Sequence, residues 1–310
     1  LYLSEVYSRL RLKWTFRGHG KGSVRALFVP GTPFVLSTGG DRTLLWHKDT
    51  GAIERDYGGA RENSRFVAMD TKGQFVAFTD ASAQARLSDV RTGEVLWSSP
   101  RDLGEAECVA FSPDGSKIVV GTVDRTLVAV DWRGGGMKTL GQFPGAIVDV
   151  SISPDGKTLV TVVLNSSAHL FDLKTGASEL QIMTPSSSLF SAAWSPNGRI
   201  LALGGYDGSV RLWDTRKRAI AKELRTDGHT LSLSFSPDGT VLATACHDGR
   251  VSLWNVENGE LLSTAIVQRG SVRALSFSAD GHSLVTAGEA GIVRTWDVEK
   301  PLAEDFVGLG

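Results

Sequence analysis

Residues 189 to 224 read LFSAAWSPNGRILALGGYDGSVRLWDTRKRAIAKEL, and this stretch decides the fold. Apolar alternation runs from Leu189 to Trp194, breaks at Ser195-Pro196-Asn197-Gly198, and resumes from Ile200 to Gly204. Asp207-Gly208 turns the chain into Val210 to Trp213, and the Thr215 region leads to a fourth segment, Ala219 to Leu224. Period-two alternation interrupted by turn residues marks short antiparallel strands. Pro presets φ at the first central turn position, while Asn or Asp followed by Gly tolerates the positive φ of a tight hairpin. The segment therefore predicts four strands in sequence, each folding back on the last.

Outward from this stretch the same pattern repeats. An apolar or aromatic residue followed by a small polar one recurs, with substitutions, at Trp46-His47, Ser88-Asp89, Val130-Asp131, Phe171-Asp172, Trp213-Asp214, Trp254-Asn255 and Trp296-Asp297, at intervals of 42, 42, 41, 42, 41 and 42 residues. The turn glycines Gly73, Gly115, Gly156, Gly198, Gly239 and Gly281 are spaced by 42, 41, 42, 41 and 42. Two separate markers share one period, and a period in the low forties with four short strands per unit is that of a propeller blade. The expectation is an all-β, seven-bladed β-propeller occupying residues 12–299, with 1–11 as a linker or the end of a preceding segment and 300–310 as a tail.

Composition narrows the function classes. The 310 residues are 41% hydrophobic with a formal net charge of -1, which argues against nucleic-acid or membrane binding through bulk positive charge. Cys108 and Cys246 lie in different repeats without disulfide-framework or zinc spacing and are expected as buried, reduced thiols. No apolar run approaches the ~18 residues that span a bilayer, so a cytoplasmic setting is the default expectation. The six histidines show no metal-ligand spacing, and Gly39-Gly40 and Gly134 to Gly136 sit in hairpins without the helix a phosphate loop needs. No cofactor is expected.

Trp213-Asp214, Trp296-Asp297, Gly18-His19 and the FSPDG phrases resemble the WD-repeat family, and the resemblance runs from about Lys13 to Asp297. It implies a seven-bladed ring around a central channel whose last blade, ending after Trp296-Asp297-Val298, takes its fourth strand from the Trp14 segment; residues 301 to 307 are the competing source, disfavoured by Pro301, Glu304 and Asp305. Such closure removes exposed sheet edges. The resemblance further implies that recurring His, Ser or Thr, Asp and Trp form a structural network inside a blade rather than a hydrolase triad. Blade one offers His19, Ser37 or Thr38, Asp41 and Trp46; blade five Asp207 and Trp213; blade six Thr244, Asp248 and Trp254. His229 is left out, because Gly228-His229 lies about four residues nearer its inner strand than Gly18-His19 does. Blades with Ser88, Val130 and Phe171 in place of tryptophan should lack the indole hydrogen bond. The SPDG and TG phrases are similar to bacterial members, which are often appended to kinase, ATPase or protease domains. With a chain that opens at Leu1 rather than Met, this implies part of a larger regulatory protein.

Function on such a scaffold lives in loop side chains. Alignment on the turn glycines places Arg25, Arg65, Glu107, Val148, Phe190, Leu231 and Arg273 near the starts of the inner strands. Before the next turn stand Gly40, Ala81, Val123, Leu164, Tyr206, His247 and Glu289. Around the ring these give a basic arc of Arg273, Arg25 and Arg65 facing an apolar and aromatic arc that includes Phe190, Tyr206, Leu231 and His247. Arg and aromatic enrichment marks binding patches. The expected function is a protein-protein interaction scaffold or sensing domain, not an enzyme, gripping a protein or peptide with acidic and hydrophobic portions. The alternatives are a propeller enzyme of hydrolase or lactonase type, and nucleic-acid binding through the basic arc.

Overall fold

A computed structural model describes residues 10–20, 24–39, 42–59, 66–80, 82–164, 167–183, 188–289 and 291–298. It contains seven four-stranded antiparallel sheets arranged as the blades of a propeller. In blade five the strands are Leu189–Trp194, Ile200–Gly205, Ser209–Asp214 and Ala219–Arg225, within one residue of the alternation read from the sequence.

The turns are built as the phrase SPDG dictates. In blade three the Ser112 hydroxyl donates to the Asp114 carboxylate and accepts the Lys117 backbone N–H at 2.9 Å, while Gly115 N–H reaches Ser112 O at 2.8 Å. Gly115 has φ 68°, a left-handed value that excludes most other residues. The same hydroxyl-to-carboxylate bond recurs at Ser153/Asp155, Ser236/Asp238 and Ser278/Asp280.

Blade seven consists of Val272–Phe277, Ser283–Gly288, Val293–Val298 and, from the other end of the chain, Leu10–Phe16. Leu10 pairs with Val298 and Phe16 with Val293, so the Trp14 segment closes the ring. The strand takes in Leu10 and Arg11, two residues ahead of the boundary at residue 12, because Leu10 is buried among the blade six and seven side chains. Residues 301–307 lie outside the described residues.

Hydrophobic side chains gather between blades rather than within them. One cluster joins Cys108, Leu127 and Phe143 of blade three to Ile147, Leu159 and Phe171 of blade four. Another joins Phe16, Val285 and Val293 of blade seven to Val24, Val35 and Trp46 of blade one, which secures the closure. Each blade buries both faces against neighbours, which is why second-strand segments such as Lys117–Thr122 and Ile200–Gly205 read as nearly continuous apolar runs. Cys108 and Cys246 are buried free thiols, and burial pushes the Cys246 thiol up to about 11.

Candidate functional site: one face of the propeller and its channel

The polar network expected inside the blades is present in part. In blade one, His19 Nε2 lies 2.7 Å from Ser37 Oγ, which also accepts the Trp46 indole N–H at 3.1 Å. Ser37 rather than Thr38 fills the role, since the Thr38 hydroxyl bonds Thr43; Asp41 lies outside the described residues. In blade six Trp254 Nε1 donates to Thr244 Oγ1 at 3.1 Å, and in blade seven Trp296 Nε1 donates to Thr286 Oγ1 at 2.9 Å.

Blades five and six depart from the expected network. The acceptor stands two residues beyond the cross-strand partner of the tryptophan, and in blade five that position is Leu203, so Trp213 has no hydroxyl to meet. Asp207 instead caps its own turn through Ser209 N–H at 3.0 Å and pairs with the buried Arg211 at 2.6 Å. Asp248 likewise accepts the Arg250 N–H at 3.1 Å and pairs with the Arg250 guanidinium at 3.4 Å, apart from Thr244. Both aspartates are turn caps because a carboxylate one residue before Gly faces the backbone N–H groups of the turn.

At the loops joining second to third strands, the residues of the aromatic arc meet. Tyr206 is 55% exposed, yet its backbone N–H is fixed to Ser188 O at 2.9 Å. Its ring lies on His229 with centroids 3.6 Å apart, His229 lies on His247 at 4.2 Å, and Phe190 approaches Tyr206 at 6.4 Å. The two histidines are also joined through the backbone. His247 N–H donates to His229 O at 3.0 Å, and His229 N–H donates to His247 Nδ1 at 3.1 Å. That nitrogen accepts through its ring lone pair, so the hydrogen bond uses the tautomer that carries its hydrogen on Nε2. Burial, and secondarily the charge of His247, holds His229 below the usual histidine range. Leu231, half-buried, is the second residue of the inner strand Thr230–Phe235, two residues beyond His229.

The basic arc is differently disposed. Arg273 gives its Nε to Glu289 Oε1 at 3.0 Å, so its charge is matched within its own blade, and this pairing holds the Glu289 carboxyl below its ordinary value. Arg25 stacks its guanidinium over Phe66 at 5.1 Å and lines the central channel, a cavity of about 390 Å³. Arg65 lies outside the described residues.

Within that channel stands a carboxylate that the loop alignment passed over. Asp149, on the blade-four inner strand Ile147–Ile152, accepts the Val150 N–H and, across the blade boundary, the Ala192 N–H, both at 2.9 Å. Burial raises its carboxyl to about 6, against the opposing pull of these hydrogen bonds and of Arg25. The equivalent residues, seven before the turn glycine, are Phe66, Cys108, Ser191, Ser232 and Ala274, so a lone acid at this position was the available signal. His229 was equally readable as a face residue once its shortened loop removed it from the blade network. Among the described residues no group of three or more His, Cys, Asp or Glu side chains is placed to hold a metal ion.

The model of the WD domain, G-beta repeat, matches residues 10–47, 104–129, 178–214, 221–255 and 259–297, together more than half of the chain. Blade two is unmatched yet built as the others are, with Ser88 buried in the tryptophan position. WD repeat-containing protein SL1-17 of Schistosoma mansoni is 28% identical over 170 residues, 54% of this chain and 56% of that protein. Autophagy-related protein 16 of Arabidopsis thaliana is 27% identical over 216 residues, 69% of this chain and 42% of that protein. Actin-interacting protein 1 of Drosophila melanogaster is 29% identical over 119 residues, 37% of this chain and 20% of that protein. The chain spans about half the length of the first two of these relatives.

Proposed function

The chain belongs to the WD-repeat family, whose propellers are scaffolds for protein interaction, and we propose that it grips a protein or peptide segment on the face carrying the Tyr206–His229–His247 stack. The observation that supports this most is the combination at Tyr206 of a ring more than half exposed and a ring already held in place by its neighbour. A rigid, amphipathic aromatic group loses little conformational freedom on binding and serves well as an anchor. On the other side of the ring Arg25 and Arg273 supply the basic portion of the reading, Arg273 exchanging its Glu289 partner for an acidic group on the ligand; the third arginine expected there, Arg65, lies outside the described residues. The name of one relative, an actin-interacting protein, supports a protein as partner. A sensing or regulatory role within a larger cytoplasmic protein extends the same reading.

The test is recovery of co-purifying protein by the tagged chain and by three variants: Tyr206→Ala, the pair Arg25→Glu with Arg273→Glu, and Lys222→Glu on the outer strand of blade five as a control. Loss of the same partner with the first two and retention with the third is expected. Undiminished recovery with Tyr206→Ala overturns the reading.

A further inference from the structure

Blades five and seven carry the same two arginines but not the same acids. In blade five Arg211 stands opposite Glu223, and Arg225 opposite Ser209. The Glu223 carboxylate lies 2.9 Å from Arg225 and 3.7 Å from Arg211, and Asp207 completes the neutralisation of Arg211 at 2.6 Å. Blade seven repeats the register, with Arg294 opposite Thr15 and Val293 opposite Phe16, so that Arg17 follows at the position of Arg225. Thr15 thus replaces Glu223. Ala290, six residues before Trp296 as Asp207 is six before Trp213, replaces the aspartate, and Ile292 replaces Ser209.

Among the described residues neither Arg17 nor Arg294 forms an ion pair, and the one acceptor that Arg294 reaches is the neutral Gln268 Oε1, at 3.3 Å. Burial first, and then the like charge of Arg17, holds Arg294 below the ordinary arginine value. Arg17 is exposed and Arg294 half-buried. Gln268, in the loop from blade six, places Arg294 at the boundary between blades six and seven, and Ile266, 70% exposed, ends the outer strand two residues earlier.

We infer that Arg17 and Arg294 form an oxyanion site at the outer rim of blade seven, which takes the side-chain carboxylate of an acidic peptide segment in the place that Glu223 fills in blade five. Two guanidinium groups held near each other without an acid repel, and a carboxylate arriving between them removes that repulsion while accepting charge-assisted hydrogen bonds from both forks. Blade five shows the occupied arrangement, with the fold supplying the acid. This site stands on different residues from the aromatic face and goes beyond the function proposed above.

Fluorescence anisotropy of a labelled tetraglutamate amide, with tetraglutamine as control, reads the site in the whole chain. The wild type is expected to bind tetraglutamate only, and Arg17→Gln or Arg294→Gln to weaken it by about tenfold, the loss of one charge-assisted contact. Thr15→Glu rebuilds the blade-five arrangement and is expected to abolish peptide binding while raising the melting temperature of the free protein. Arg17, being exposed, keeps the test open if the Arg294 variant fails to fold. Equal binding by the wild type and Arg17→Gln overturns the inference, as does a Thr15→Glu variant that is no more stable than its parent. Protection by inorganic phosphate without any binding of tetraglutamate overturns the assignment to a carboxylate.

Discussion

His229 lies between Tyr206 and His247, its ring centroid 3.6 Å from the first and 4.2 Å from the second, and its backbone N–H is spent on His247 Nδ1. Protonation of His229 disturbs this stack, because it sets a charge against the His247 ring 4.2 Å away in a partly desolvated place. The His229 pKa is lowered in the folded chain from its ordinary 6.5, so the unfolded chain takes up the proton first. Stability from the stack is complete above about pH 6.5 and declines as pH falls below it. Denaturant midpoints at pH 7.5 and 5.5 are expected to differ more for the wild type than for His229→Asn; equal differences contradict the account.

Asp149 has the opposite sign. Its carboxyl is raised to about 6, so the folded state holds its proton more tightly than the unfolded one, and the associated stability is present at low pH and lost as pH rises toward 6. A ¹³C titration of the carboxyl carbon is expected to give a midpoint near 6, moved higher by Arg25→Gln, which removes the cation that favours the charged form. Asp149→Ser is expected to hold the blades together, because Ser232 at the equivalent position accepts the Leu275 N–H across the next blade boundary but one at 3.3 Å. Its melting temperature at pH 7 should equal or exceed that of the wild type.

Tryptophans at equivalent positions are expected to differ in worth. Trp254 and Trp296 donate to buried threonine hydroxyls, while Trp213 faces Leu203 in the acceptor position. Trp296→Phe and Trp254→Phe should therefore cost about 1 kcal/mol more in urea denaturation than Trp213→Phe, the net value of one buried hydrogen bond. Equal losses at all three positions would show that ring volume alone matters.

The turn aspartates set the acid limb. Hydrogen bonds from Ser112, Ser153 and Ser278 hold the carboxyls of Asp114, Asp155 and Asp280 below their ordinary value. Their contribution is full above the unfolded carboxyl range, near 3.9, and disappears as pH falls through the folded values. A triple Asp→Asn variant is expected to show a flatter loss of stability below about pH 4 than the wild type.

The blade order and ring closure were legible because turn chemistry repeats: Pro and Gly constrain φ locally, so their period survives even where Ser88, Val130 and Phe171 displace tryptophan. Tyr206, Phe190 and His247 were legible as a face for the same reason, since their positions are counted from those turns. Which hydroxyl or carboxylate each group meets was not, because Leu203 and Arg211 decide the fates of Trp213 and Asp207 through cross-strand register. Arg17 and Arg294 were hidden for a further reason: they come together only when the two ends of the chain pair in one sheet.

The Tyr206–His229–His247 face is proposed as the anchor for a protein segment. The most direct measurement is selection of a displayed peptide library on the propeller, followed by amide shift mapping of the enriched peptides on the wild type and on Tyr206→Ala. Shifts centred on Tyr206, Gly228, His229, Leu231 and His247 are expected, with at least tenfold weaker binding by the variant, the size that follows when an anchor residue is truncated. Enriched peptides that bind wild type and Tyr206→Ala alike, or shifts confined to the outer strands, would contradict it.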